Sequence, residues 1–246
     1  MIRGTSAVLT LVLALGGCMA ATAEEGDPKL PPAIYPPLLR HVLSVEAFIP
    51  QGWRLEFTKS GDLNGDGRPD AVLLVRDDDE KKFIDTGRAS SPKFDTNPRI
   101  LVVALADAAG GYDLVLENHT LIARTTDPWQ QDPLDPNGVQ EGEIAIKNGT
   151  LRITLGYFAG DMGHITYTFR YQHKRLEMIG YDRVNVTRSS GVMTDLSINY
   201  STRRAERKVG HISNDENKVT ITKLPNKPLL ALPQIGDGLD FRPLPE

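Results

Sequence analysis

The pattern of apolar and polar positions along the chain is that of strands. Trp53, Leu55 and Phe57 alternate with Arg54, Glu56 and Thr58 and predict a half-buried strand. Ala71 to Val75 is an unbroken apolar run, short and rich in β-branched residues, and predicts a second strand. Ile100 to Leu105 is another such run and predicts a central strand, with Tyr112 to Leu116 returning as its hairpin partner after a turn over Asp107 to Gly111. From Gly142 the alternation strengthens. Ile144 and Ile146, then Leu151, Ile153 and Leu155, flank an Asn148-Gly149 hairpin turn. Ile165, Tyr167, Phe169 and Tyr171 follow, then a turn over Gln172 to Arg175 and a strand from Leu176 to Val186. Ser197 to Tyr200 and Arg207 to His211 bracket another turn, and Lys218 to Leu224 is the last strand, with Val219 and Ile221 facing one way. Gly156 to His164, with three glycines, predicts a break in the pattern. Helical periodicity is nearly absent. The expectation is an all-β, single, mostly antiparallel domain of about ten strands, built as a sandwich or a partial propeller.

The segments between and before the strands refine this picture. Arg3 followed by the apolar stretch Ala7 to Leu15, too short to span a bilayer, predicts an export signal. Leu15-Gly16-Gly17-Cys18 resembles the lipobox of bacterial lipoproteins, in which the cysteine is lipidated and becomes the first mature residue. Cleavage after Ala21-Thr22-Ala23, giving a secreted protein, is the competing expectation. Cys18 is the only cysteine, so no disulfide is available and core packing, with a metal, must hold the chain. The domain expectation is a signal peptide over 1–17, a lipid-anchored proline-rich tether over 18–37 and a β domain over 38–246. Within that domain Leu38 to Ala47 reads as a short helix or an extended lead-in, and His41 as solvated. Arg76 to Lys82 reads as a charged connector, Asp85 to Pro98 as a flexible loop, and the tail from Pro225 as a surface wrap. Arg124 to Gly142 is a long irregular loop whose Trp129 either anchors a partner or lies over a sheet edge.

The strongest chemical signal is Ser60 to Val75, which predicts a Ca²⁺ loop feeding a strand. Calcium takes six to eight oxygens, and a short loop supplies them only by curling around the ion. Asp62, Asn64 and Asp66 offer side-chain oxygens at alternate positions. Gly67 sits at the sharp turn, Arg68 would contribute its backbone carbonyl with its side chain in water, and Asp70 acts directly or through a water. The bidentate glutamate that closes an EF-hand is replaced by Leu73, and a strand follows rather than a helix. The stretch looks like the loop-then-strand calcium sites of FG-GAP and VCBS repeats, here in one copy.

A wider resemblance follows from the order of Phe48-Ile49-Pro50-Gln51-Gly52-Trp53, Gly61 to Gly67, Asn97-Pro98-Arg99-Ile100-Leu101, Tyr167 to Gln172 and Met178-Ile179-Gly180-Tyr181. This order is similar to a family of uncharacterised bacterial envelope lipoproteins with the calcium loop near the front. The resemblance implies an envelope location, periplasmic or outer-membrane, and a β fold, and it implies no activity. Composition is ordinary, with 40% hydrophobic and 24% charged residues and a net charge of −4, too weak and too mixed to suggest a nucleic-acid partner. No Gly-x-Ser-x-Gly, phosphate loop or His-Glu-x-x-His occurs. Asp161 and His164 are the nearest approach to an acid–base pair, and Glu141 with Glu143 reads as a solvated strand end. The functional expectation is a lipid-anchored, calcium-stabilised binding protein without catalytic activity, whose partner is a protein or a cell-wall glycan. The alternatives are an inhibitor or immunity protein against a cell-wall-degrading enzyme, and a carbohydrate-active enzyme using Asp161.

Overall fold

The apolar runs of the front half become neighbouring strands buried on both faces. In the computed structural model, which describes residues 30–86, 93–135, 138–140 and 142–244, the strands are β1 (His41–Val42), β2 (Trp53–Gly61), β3 (Asp70–Asp77), β4 (Phe83–Asp85), β5 (Lys93–Asp95), β6 (Arg99–Ala106), β7 (Tyr112–Asn118), β8 (Glu143–Lys147), β9 (Thr150–Phe158), β10 (Asp161–Gln172), β11 (Arg175–Thr187), β12 (Val192–Asn199), β13 (Arg204–His211) and β14 (Lys218–Lys223). A five-stranded sheet has the order β1-β7-β6-β3-β2, and a seven-stranded sheet is a continuous meander from β8 to β14. Every pairing is antiparallel. The domain is all-β, as expected, and of the two arrangements expected it is the sandwich. The stretch expected as a signal peptide, Cys18, the first part of the expected tether and Glu141 lie outside the described residues.

The two sheets share one core. Val72, Leu74, Leu101 and Val103 from the first meet Leu151, Ile153, Leu155, Tyr167 and Phe169 from the second. The other face of the first sheet, Leu73, Val75, Ile100 and Val102 with Val42 and Trp53 of its edge strands, is covered by Phe48, Tyr35, Leu38 and Val45. Burial on both faces is why β3 and β6 carry no alternation. Each fully buried Leu, Ile or Phe removes enough apolar surface to contribute roughly 1.5–3 kcal/mol before entropy is counted. The covering layer starts ahead of Leu38. Tyr35 stacks on His119 at 3.9 Å, and the Pro31 carbonyl accepts a 2.6 Å hydrogen bond from Arg124. The lead-in itself is β1 and a 3₁₀ turn, Val45–Phe48, and His41 pairs with acids rather than with water alone.

Four local expectations need correction. The alternation in β2 does not place Trp53, Leu55 and Phe57 on one face, because a bulge between Leu55 and Phe57 leaves Glu56 without a partner on β3. Trp53 therefore joins the outer layer and Phe57 the inner core. The loop expected at Asp85 to Pro98 includes β5, which pairs with β4. The glycine-rich stretch at Gly156 to His164 is no break but the β9–β10 hairpin, its glycines permitting close backbone approach. A Cβ on Gly163 would stand 1.9 Å from the Val184 carbonyl oxygen. The tail does more than wrap the surface: Leu232 is fully buried in the shared core, and Tyr167 donates to the Gly238 carbonyl at 2.6 Å.

Candidate functional site

The Asp62–Asp70 loop joins β2 to β3 where both sheets meet. Gly61 abuts Ile146 of β8, and the Asp62 carbonyl approaches the β8–β9 turn at Gly149. The loop is shaped by its own side chains. Asp62 Oδ1 accepts from the Gly65 N–H at 2.6 Å and Oδ2 from the Gly67 N–H at 2.9 Å. Asn64 Oδ1 accepts from the Asp66 N–H at 3.0 Å, and Asp66 Oδ1 from the Arg68 N–H at 2.9 Å. Gly67 has φ +82°, a conformation that L side chains rarely adopt, so the sequence expectation for this turn holds. The N–H groups of Gly67 and Gly65 hold Asp62 below the usual carboxylate range, and the Arg68 N–H does the same for Asp66. Both are anionic at neutral pH.

Asp70 has a different part. It is fully buried, and its two oxygens accept from the N–H of Leu63 at 2.8 Å and of Ala106 at 2.9 Å. One side chain thus ties the loop's start to the end of β6. Burial pushes its pKa up, with Asp66 and Asp62 adding to the effect and the two N–H bonds opposing it. Arg68 corrects a further expectation. Its side chain does not extend into water but folds back, ion-paired with Asp66 and donating from Nε to the Ala106 carbonyl at 3.1 Å.

These residues fit Ca²⁺ in their donor chemistry. Asp62, Asn64, Asp66 and Asp70 end in oxygens that carry two lone pairs each, and the backbone N–H bonds leave one free on each oxygen they engage. No choice of one oxygen from each of the three aspartates brings all three within 4.8 Å. An ion held at 2.3–2.6 Å from each would draw opposite oxygens to about 5 Å. For an ion to use Asp66 Oδ2, the Arg68 guanidinium would have to release it.

A second constellation escaped the sequence reading. Arg76 and Arg99 are cross-strand neighbours on β3 and β6, and both are buried, so the stretch expected as a charged connector from Arg76 begins inside β3, with Asp77 and Lys82 buried too. Arg99 is gripped by two carboxylates. Its Nε and a terminal nitrogen lie 2.7 and 2.8 Å from Glu56, and both terminal nitrogens bond Asp132, at 2.6 and 3.0 Å. Arg76 reaches Glu56 at 3.1 Å and the Asp95 carboxylate at 3.1 Å. Burial raises the pKa of Asp132, but the hydrogen bonds and charge of Arg99 more than reverse it, so the group ends lowered. Asp132 belongs to the long Arg124–Gly142 loop, and Leu134 beside it is buried in the core. The loop is thereby fixed to the sheet. It carries Trp129, which is 72% exposed. The only clue in the sequence was a charged residue inside each of two apolar strands.

His41, Asp107 and Asp113 form the one group of His, Cys, Asp or Glu among the described residues whose ligand atoms lie within 4.8 Å of one another. His41 Nδ1 is 3.0 Å from Asp113 and 3.5 Å from Asp107. Asp161 and His164 are not brought together. Three apart on β10, they project to opposite faces, and Asp161 accepts from Asn185 at 3.1 Å. No helix among the described residues is long and apolar enough to cross a membrane. Compared with known proteins, the chain matches no family model, no curated protein and no solved structure.

Proposed function

We propose that this protein is a calcium-stabilised binding domain, carried to the bacterial envelope by its export signal and anchored there through Cys18. One observation carries the reading: a loop with oxygen donors at alternate positions, bolted by Asp70 to the neighbouring hairpin at Ala106. An ion there would join β2, β3 and β6 at one point. Asp62, Asn64, Asp66 and Asp70 would hold it with the Arg68 carbonyl, and its role is to fix the loop. The braced Trp129 loop is the contact offered to a protein or glycan partner, since an exposed indole on an ordered loop costs little entropy to immobilise.

Melting in millimolar calcium against chelator tests the first part. For a site of ~10 µM affinity, ~1 mM calcium contributes about 2.7 kcal/mol, which raises Tm by roughly 5–10 °C in a chain of this size. The Asp62→Ala protein should melt at one temperature in both conditions. Equal melting of the unaltered protein in both would remove calcium from the reading. For the second part, the immobilised chain and its Trp129→Ala variant are challenged with envelope extract. Retention that disappears with Trp129→Ala, at unchanged Tm, supports the contact, and equal retention by both chains refutes it.

A further inference from the structure

The last four strands of the meander face a groove of about 600 Å³, bounded on one side by the tail at Arg242–Leu244 and lined by no residue of the five-stranded sheet. Three guanidinium groups line it, from Arg183, Arg207 and Arg242, and among the described residues no carboxylate does. Register explains two of them. Arg183 stands opposite Leu196, Leu196 opposite Arg207, and Arg207 opposite Thr220, so one cross-strand row carries both charges two strand spacings apart, about 10 Å. Arg183 sits over the Tyr157 ring, 5.4 Å from its centroid, with Nε 3.4 Å from the Tyr157 hydroxyl. Arg242 donates to the carbonyls of Leu239 and Phe241, at 2.9 and 3.1 Å. Among the described residues none of the three pairs with a carboxylate. Asp195 and Glu206 alternate with the groove residues on β12 and β13 and so face the other side of the sheet.

A second observation is independent of the charges. Tyr181 lines the groove with its side chain fully buried, and its hydroxyl has no hydrogen-bond partner. The Arg183 guanidinium lies near it without reaching acceptable geometry. A buried hydroxyl is normally satisfied, so this one is a spare donor at the wall of the groove. Guanidinium groups recognise carboxylate and phosphate through paired N–H donors, and the Thr220 hydroxyl suits a hydroxylated scaffold. The volume is that of a small-molecule site.

We propose that this groove binds a small organic polyanion, an oligocarboxylate or oligophosphate, held by Arg183, Arg207 and Arg242 with the Tyr181 hydroxyl as an additional donor. The site is separate from the calcium loop and does not depend on it. Calorimetry on the full chain, with citrate, a trigalacturonate and inositol hexakisphosphate as ligands and acetate as control, tests it. Saturable binding of a polyanion but not acetate is expected, weakened about tenfold or more by Arg207→Gln or Arg183→Gln. Preference between the carboxylate and phosphate ligands identifies the source. Tyr181→Phe should weaken binding severalfold while leaving Tm unchanged or higher, because it deletes an unsatisfied polar group. Arg207 is exposed, so its replacement leaves the core intact, and Lys208→Gln on the opposite face serves as a charge-matched control. Absence of saturable binding at millimolar ligand overturns the proposal. So does equal loss from Lys208→Gln and Arg207→Gln, which would reduce the effect to net charge.

Discussion

Glu56 shows how one residue sets the geometry around it. It occupies the bulged position of β2, and its carboxylate is what Arg99 and Arg76 close upon from the neighbouring strands. Buried ion pairs of this kind add little over an apolar replacement, yet losing one partner strands the others in a low dielectric. Glu56→Ala should therefore cost about 3 kcal/mol in chemical denaturation, whereas a surface carboxylate such as Asp113 should cost under about 1 kcal/mol. The pH dependence has a definite sign. Asp132 has a folded pKa below its unfolded value, so its contribution is complete above the unfolded pKa, about 4, and is lost as pH falls through the lower folded value. In Asp132→Asn the acid limb of the stability curve should flatten below pH ~4. An unchanged acid limb would show that Arg99 does not hold Asp132 as described. Alternation read from sequence put Glu56 in water, because a bulge is an event in pairing and the partner strand lies 20 residues away at Arg76.

At the scale of elements, the hairpins were the most legible. Asn148 and Gly149 both have positive φ, 51° and 67°, as a two-residue turn between right-twisted strands requires. His173 and Lys174 do the same at 52° and 58°, although their residue types announce it less clearly. The edge strand β14 carries Lys218 and Lys223 at its two ends, which discourages pairing with another chain along exposed Val219 and Ile221. The tail was the least legible element. Its prolines suggested a surface strap, but Met178 donates to the Leu230 carbonyl, Ala231 bridges to Glu177, and Leu232 and Ile235 enter the core. A chain ending at Leu224 should lose most of its cooperative unfolding and bind a hydrophobic dye, since Leu232, Ile235 and Phe241 leave the core together. A truncated chain that melts like the full one would show the tail to be dispensable.

The whole molecule joins two kinds of sheet. The front sheet is covered on both faces and is stitched by buried charge, while the meander is covered where it meets that sheet and open over its last strands. The loop of Asp62 to Asp70 lies at the junction of the two, where closing it would be felt by both. The sequence alone determined most of the strands and turns, the antiparallel class and the oxygen-rich loop, because each depends on residues close together along the chain: side-chain alternation, glycine at positive φ, oxygen donors two apart. Only the tertiary structure decided that Asp70 binds Ala106, that Glu56 and Asp132 clamp Arg99, that Tyr35 and Leu232 belong to the packed body, and that three arginines share a groove. Those facts depend on strand register and on segments distant in sequence meeting in space, and no local pattern encodes which distant partner a charge or a ring will find.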